Sequence, residues 1–179
     1  TKTSMEETMY LKDLTVQQIN ESYKTLMKAL LSVDPKVTME IANSIWPKEG
    51  YPVEQDFLDV NREYFDAEVR PLNFYDPQAV DIINQWCADK TQDKIKKILD
   101  RIPVNVVMYL INAIYFNGTW KYEFDKSSTE QQTFYLRDGT TDQTAMMHME
   151  AEVDYLKNDL FQAVELPYGR GNYSMVCLL

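Results

Sequence analysis

The sequence is poor in the residues that most often carry out chemistry. It has one histidine, His148, and two cysteines, Cys87 and Cys177, in 179 residues. Neither cysteine has a histidine close to it in sequence, and no Gly-x-Ser-x-Gly motif is present. The glycines at 169–172 lack the lysine and the following helix of a phosphate-binding loop. We expect both cysteines to be small buried apolar residues, since free cysteine is often buried. Motifs therefore do not predict an enzyme.

The histidine belongs to the one arrangement that suggests a metal site. His148, Glu150 and Glu152 would point the same way along a strand. Ligands spaced by two along a single strand diverge, however, whereas a metal ion needs ligands that converge. We expect a solvated surface here, and we predict neither a metal nor a cofactor.

Positive charge and long apolar runs are also scarce. Eighteen basic residues against 28 acidic ones give a net charge of −10, which argues against binding to nucleic acid. Asn105 and Asn112 interrupt the longest apolar stretch, so no segment is predicted to span a membrane. Five Gly and seven Pro are too few for a disordered or fibrous chain. The chain shows no signal peptide and no initiator Met, so Thr1 is expected to be a processed or artificially chosen end.

The chain does have enough apolar residues to build a core, at 45% of the sequence. Their spacing predicts helices and strands in alternation through the first two thirds of the chain. Thr15 and Gln18 form a capping-box pattern at the first helix, and Asp76-Pro77 is typical of a helix start. Pro71 places its strand at an edge or an end. The predicted helices are 15–31, 54–65 and 77–90, and the predicted strands are 37–46, 67–74 and 104–118.

The last of these strands is apolar on both of its alternating faces, with Asn112 in the middle of it. The helix at 77–90 has a wide apolar stripe, and we expect it to lie across one face of strand 104–118. Two hairpins follow. Asp138-Gly139 is a tight-turn signal, and residues 169–172 separate strand 162–168 from strand 173–179. Mixed helices and strands followed by antiparallel strands predict an α+β fold with at least two sheets.

Residues 110–134, LINAIYFNGTWKYEFDKSSTEQQTF, resemble the central-sheet strand and following loop of the serpins, a family of serine protease inhibitors. The family pattern runs through Asn112–Phe116, Gly118, Trp120, Phe124, Thr129 and Phe134. Other segments resemble the family in the same order along the chain: 41–46, 54–65, 79–91, 146–149 and 164–179. One departure is Asp93-Lys94-Ile95, where the family often has Gly-Lys-Ile. We expect a change in the turn here, because aspartate adopts glycine-like backbone angles less readily.

The resemblance implies that residues 1–179 are a partial serpin domain, with helices on a mixed sheet and antiparallel hairpins of smaller sheets. The N-terminal helices and the C-terminal half with the reactive-centre loop are expected to be absent, so the reactive bond does not lie in this chain. The implied function is suicide inhibition of a protease: loop cleavage, trapping of the acyl-enzyme and insertion of the loop into the main sheet. A non-inhibitory carrier or chaperone is the alternative, and an unrelated interaction module or enzyme is a third reading.

The resemblance also names candidate residues and partners. Asn112, Trp120, Asn84 and Thr91 are candidates for controlling sheet opening, with ordinary core packing as the alternative for Asn112 and Trp120. The expected partner is a serine endopeptidase, with a cysteine endopeptidase as the alternative. The isolated chain is expected to be inactive and to pair with its missing segments or with itself through an exposed strand edge. Helix 15–31 has only Lys24 and Lys28 as bases, so no heparin-like cofactor is expected. The expected location is extracellular or in the cell envelope, with the cytoplasm as the alternative.

Overall fold

The computed structural model describes residues 2–179, and its contacts divide the chain into two units. The first unit contains residues 38–116 together with the helices that precede residue 34, and the second contains residues 34–37 and 117–179. The helices are α1 (Lys2–Thr8), α2 (Val16–Leu30), α3 (Gln55–Phe65) and α4 (Ala79–Lys90). The strands are β1 (Val37–Pro47), β2 (Ala67–Val69), β3 (Met108–Gly118), β4 (Glu130–Tyr135), β5 (Thr141–Met146), β6 (Tyr155–Lys157), β7 (Gln162–Tyr168) and β8 (Tyr173–Leu178).

The first long helix, α2, begins as its sequence predicts. The Thr15 side chain accepts a hydrogen bond from the Gln18 backbone N–H, and the Gln18 side chain accepts one from the Thr15 N–H. This reciprocal cap satisfies two backbone donors that a helix start otherwise leaves without partners. The prediction of a capping box at this helix is therefore confirmed.

A three-stranded sheet in the order β2-β1-β3 forms the centre of the first unit. β1 and β2 are parallel, with Asn43 opposite Ala67 and Ile45 opposite Val69. Lys48 N–H donates to the Val107 carbonyl, while Asn43 contacts Asn112, so β1 and β3 run in opposite directions. Pro71 lies beyond the end of β2, which is an outer strand, as the proline predicts.

Helix α4 packs on one face of β3 and encloses the main core. Ile83 and Trp86 of α4 pack in one cluster with Trp46 of β1 and Ala113 of β3. The Trp46 and Trp86 rings meet edge to face at a centroid distance of 6.2 Å, a favoured aromatic geometry. The predicted crossing of this helix over the strand is confirmed.

Several predicted bounds are wrong by a few residues. Helix α4 begins at Ala79 and not at Pro77, because Asp76 accepts a hydrogen bond from the Gln78 N–H and closes a turn before the helix. Strand β3 begins at Met108 and not at Val104, which is 85% exposed in the preceding irregular segment. β2 ends at Val69, although Leu72 still bridges to Lys48. Burial in β1 is concentrated at Ser44–Pro47 and includes both faces, although the alternating apolar residues Val37, Met39, Ile41 and Ile45 predict a single buried face.

The second unit consists of two antiparallel sheets. β4 and β5 form a hairpin whose connection contains Gly139 at φ +84°, which confirms the turn predicted at Asp138-Gly139. β6, β7 and β8 form a sheet in that order, with Tyr168 opposite Tyr173 beside the 169–172 turn. These hairpins and the mixed sheet of the first unit confirm the α+β fold class.

The structure bears on the predicted burial of the two cysteines and on the predicted absence of a membrane-spanning segment. Cys87 is buried, as expected, and burial raises the pKa of its thiol, whereas Cys177 is half-buried. Within residues 2–179, no helix combines the length and the apolar character that crossing a lipid bilayer requires.

Candidate functional site

Strand β3 presents one covered face and one open face. Tyr109, Ile111 and Ala113 face the core under α4. Leu110 and Ile114, which alternate with them, are 65% and 53% exposed. Among the described residues β3 is the last strand of its sheet, with β1 as its neighbour. The strand therefore offers an apolar face and a sheet edge, both of which can be buried by further polypeptide.

Asn112 lies on the open face of β3 and bonds to β1. Its Nδ2 donates to Oδ1 of Asn43 at 2.9 Å and lies 3.5 Å from the carbonyl oxygen of Ala42. Asn43 in turn donates through Nδ2 to the carbonyl oxygen of Phe65 at 2.7 Å, at the end of α3. The Asn112 amide is exposed and bonded, so the free-energy cost of a buried, unpaired amide does not apply to it.

Asn84 fixes α4 to the segment that follows it. Its Oδ1 accepts from the backbone N–H groups of Ile98 and Leu99 at 2.9 and 3.0 Å, and its Nδ2 donates to the Leu99 carbonyl at 2.9 Å. Asn84 is buried, with 8% of its surface exposed. These three hydrogen bonds from the buried Asn84 amide hold the irregular segment against the helix.

Thr91 also bonds α4 to the segment that follows it, at the C-terminal end of the helix. Its buried hydroxyl donates to the Cys87 carbonyl at 2.7 Å and accepts from the Ile95 N–H at 3.0 Å. The next two residues, Gln92 and Asp93, both have positive φ values, of 51° and 59°. Asp93 therefore adopts the left-handed conformation that a glycine would adopt more easily, so its presence there does not prevent the turn.

Trp120 belongs to the second unit, where it follows the end of β3. Its ring stacks on Tyr168 at a centroid distance of 4.3 Å and an interplanar angle of 13°, and Phe124 meets its edge at 6.1 Å. An antiparallel bridge joins Trp120 and Tyr168. Gly118 lies close to the same tyrosine, since a Cβ atom there would be 3.1 Å from the Tyr168 ring. Trp120 is thus fixed by aromatic packing.

Asp34 is a buried, hydrogen-bonded carboxylate that the sequence analysis did not single out. Its buried carboxylate accepts from the Lys36 N–H at 3.0 Å and from the Arg170 N–H at 2.7 Å, and the Asn172 side chain lies within 3.5 Å. Burial by itself would raise the pKa of this carboxyl group, but these hydrogen bonds together lower the pKa below its ordinary value. Asp34 and Arg170 are 136 residues apart in sequence, so no local pattern predicts the contact.

The four candidate residues occupy different places and are not one cluster. Asn84 lies within α4 and Thr91 directly follows the end of that helix, both on the core side of the sheet, while Asn112 lies on the opposite face of β3. Asn43, the partner of Asn112, was visible in the sequence as a second amide that interrupts an alternating apolar strand. His148 follows β5 in an irregular segment and lies 3.2 Å from the Gln132 side chain. In the described part of the chain, no three His, Cys, Asp or Glu side chains are arranged to hold a metal ion.

Comparison with known proteins agrees with the motif resemblance over the whole chain. The family model for "Serpin (serine protease inhibitor)" matches residues 1–179. An uncharacterised serpin-like protein of Methanosarcina acetivorans is 34% identical over 93% of this chain and 43% of its own length. Human glia-derived nexin is 32% identical over 92% of this chain and 44% of its own length.

The fold comparison agrees as well. The crystal structure of the thermophilic serpin tengpin in its latent state has a TM-score of 0.83 at 33% identity, covering 94% of this chain and 45% of tengpin. The first curated relatives are matched over 34–44% of their own length, so this chain spans less than half of each. Since a family model, homologous sequences and a superposable fold all agree, this chain is a member of the serpin family.

Proposed function

We propose that this chain forms the sheet-bearing part of a protease inhibitor that acts as a suicide substrate, and that it is not itself an enzyme. The observation that carries the proposal is the position of β3. This strand of 11 residues ends the sheet, is covered by α4 on one face and has an open edge in the described residues. A strand added along such an edge gains main-chain hydrogen bonds and buries apolar side chains.

In the proposed mechanism, a serine or cysteine endopeptidase cleaves a loop outside this chain and is held as an acyl-enzyme. The cleaved loop then pairs with β3 on the side away from β1. The bond from Asn112 to Asn43 supports this direction, because it ties β3 to β1 and leaves the other edge of β3 available. Asn112 would thus keep β1 and β3 together while the sheet accepts a strand on its open side.

Asn84 and Thr91 would keep α4 and the segment after it together during this change. Both side chains bond to backbone groups of residues 95–99, so the helix and its connection can shift as one body. Trp120, two residues beyond β3, would provide a fixed aromatic surface where the inserting strand begins to pair. We propose an extracellular or cell-envelope location, which subcellular fractionation tests directly.

The test uses the full-length protein, including the reactive loop. It is mixed with a trypsin-like and with an elastase-like protease, and a covalent complex that survives denaturant is sought by gel electrophoresis. The proposal expects such a band and a rise in the melting temperature of the cleaved protein. Cleavage with neither result would overturn the inhibitory mechanism and favour a carrier or chaperone.

The isolated chain should behave differently from the full-length protein. We expect it to inhibit no protease and to self-associate through the β3 edge, because an open sheet edge pairs readily with another chain. Light scattering coupled to size-exclusion chromatography measures its mass. A stable monomer over a wide concentration range would contradict this expectation.

A further inference from the structure

Three Asn-x-Ser/Thr sequences occur in the chain, and each matches the acceptor pattern for an N-linked glycan. They begin at Asn20, Asn117 and Asn172, and the middle residue of each is not proline. A folded protein that carries such a glycan needs room for a bulky, hydrated sugar at the asparagine side chain. The structure separates the three sequences by this criterion, because their asparagines differ in burial and in side-chain contacts.

The sequence Asn117-Gly118-Thr119 has this room. Asn117 is the penultimate residue of β3, and both Asn117 and Thr119 are exposed. Gly118 faces Tyr168, since a Cβ atom at that position would lie 3.1 Å from the tyrosine ring. Successive residues of a strand point to opposite faces, so Asn117 points away from this packing. The Thr119 carbonyl accepts from the Gly169 N–H at 2.7 Å, and this bond holds the segment in place.

The other two asparagines lack this room. Asn20 lies within α2 with only 6% of its surface exposed, so a sugar on its amide would displace the packing around it. Asn172 is exposed, but its Nδ2 lies 3.5 Å from Oδ2 of Asp34. The Arg170 N–H holds that carboxylate at 2.7 Å, and a Cβ atom added at Gly169 would lie only 2.8 Å from it. A sugar on Asn172 would therefore compete with the Asp34 contact.

We propose that Asn117 is N-glycosylated in the full-length protein and that Asn20 and Asn172 are not. The co-substrate is an oligosaccharide linked through phosphate to a lipid. In the transfer, Nδ2 of Asn117 forms a bond to C1 of the first sugar and loses one proton to a base of the transferase. The bond from C1 to the phosphate oxygen breaks, and the lipid phosphate leaves with the electron pair. The proposal rests on the extracellular or cell-envelope location proposed above, because these acceptor sequences are used in secreted proteins.

The decisive measurement is the occupancy of each asparagine in the full-length protein isolated from its native host. Its peptides are analysed by mass spectrometry before and after treatment with a peptide N-glycosidase. The peptide that contains Asn117 should carry a glycan, and the enzyme should leave aspartate at that position. The peptides that contain Asn20 and Asn172 should have their unmodified masses. An unmodified Asn117, or a glycan on either of the other two asparagines, would overturn the proposal.

Variants of the third residue test each acceptor sequence without changing its asparagine. The full-length protein is secreted from a host that glycosylates such sequences. Thr119→Ala should lower the occupancy of Asn117 at least about tenfold, whereas Thr119→Ser should keep the glycan, because serine also completes the acceptor pattern. Ser22→Ala and Ser174→Ala are the matched controls and should leave the glycan content unchanged. A loss of glycan in either control, or none in Thr119→Ala, would contradict the assignment to Asn117.

The protease assay separates this proposal from the inhibitor proposal. A protein that forms the covalent protease complex but carries no glycan on Asn117 would refute the modification and leave the inhibitor proposal intact. A glycan on Asn117 in a protein that forms no such complex would support the modification and contradict only the inhibitory mechanism.

Discussion

Replacing Gly169 by alanine tests the contact of the Asp34 carboxylate, which joins the two segments of the second unit, 34–37 and 117–179. Gly169 has φ +52° and begins the turn between β7 and β8. A Cβ atom added there would lie 2.8 Å from both carboxylate oxygens of Asp34. Real Cβ atoms do not approach oxygens so closely, so either the turn or Asp34 must move.

The expected cost follows from two separate effects. An L-residue in the left-handed region loses about 1–2 kcal/mol relative to glycine. Adding a carbon atom to a packed position costs about another 1–3 kcal/mol. The Asp34 carboxylate has little freedom to move away, since the Arg170 and Lys36 N–H groups hold it at 2.7 and 3.0 Å. We therefore expect Gly169→Ala to lower the free energy of unfolding by about 2–5 kcal/mol.

Gly139→Ala is the matched control in the same unit. Gly139 has φ +84°, and a Cβ there would meet no atom within 4 Å. Its backbone cost should be at least that of position 169, because φ +52° is nearer the left-handed minimum. Urea unfolding followed by circular dichroism should give a loss of about 1–2 kcal/mol for Gly139→Ala. Equal losses for the two variants would refute the claim that Asp34 is held in place.

Three further predictions concern single side chains. Asn84→Ala should lower the free energy of unfolding by about 2–4 kcal/mol, because three backbone groups lose their partner. The control Gln85→Ala, on the exposed side of the same helix, should lower it by less than about 0.5 kcal/mol. Equal effects of the two variants in urea unfolding would contradict the role of Asn84. Asp93→Gly should raise the free energy of unfolding by about 0.5–1 kcal/mol by relieving its positive φ, and Asp89→Gly, within α4, should lower it. Asp34→Asn should lower the free energy of unfolding at neutral pH. The difference in this free energy from wild type should shrink as the pH falls below about 4, because a carboxyl group whose pKa is lowered in the folded state loses its stabilising effect when it is protonated. A difference that stays constant down to pH 2 would contradict this.

The sequence was sufficient for those elements whose cause is local. The Thr15–Gln18 cap, the alternating burial of β3 and the turn at Gly139 each depend on residues within one element. The crossing of α4 over β3 was also predictable, because the wide apolar stripe of the helix and the apolar face of the strand bury each other. Bounds were less predictable. The start of α4 depends on whether Asp76 caps the helix or closes a turn before it, and both use the same side-chain oxygen.

The contacts that connect distant segments could not be predicted from the pattern. In the sequence, Asp34 precedes Pro35 at the end of a helical pattern, and nothing in that pattern indicates that its carboxylate accepts a hydrogen bond from the Arg170 N–H. The partner of Asn112 also depends on the register between β1 and β3, since a shift by one residue would place Asn43 on the other face. Asn84 lies within the predicted helix 77–90, but its partners Ile98 and Leu99 lie in an irregular segment with no periodicity.

The hydrogen bonds of the first unit determine where its sheet can accept another strand. β1 is paired on both sides, by β2 and by β3, and the Asn43–Asn112 bond adds a side-chain link to the second of these pairings. Separating β1 from β3 would break this link as well as the backbone ladder, whereas adding a strand at the outer edge of β3 breaks no bond of the described sheet. The exposed Leu110 and Ile114 favour further burial on the face opposite α4. Growth of the sheet at β3 is therefore favoured over separation of β3 from β1, and Asn112 stabilises the pairing that remains.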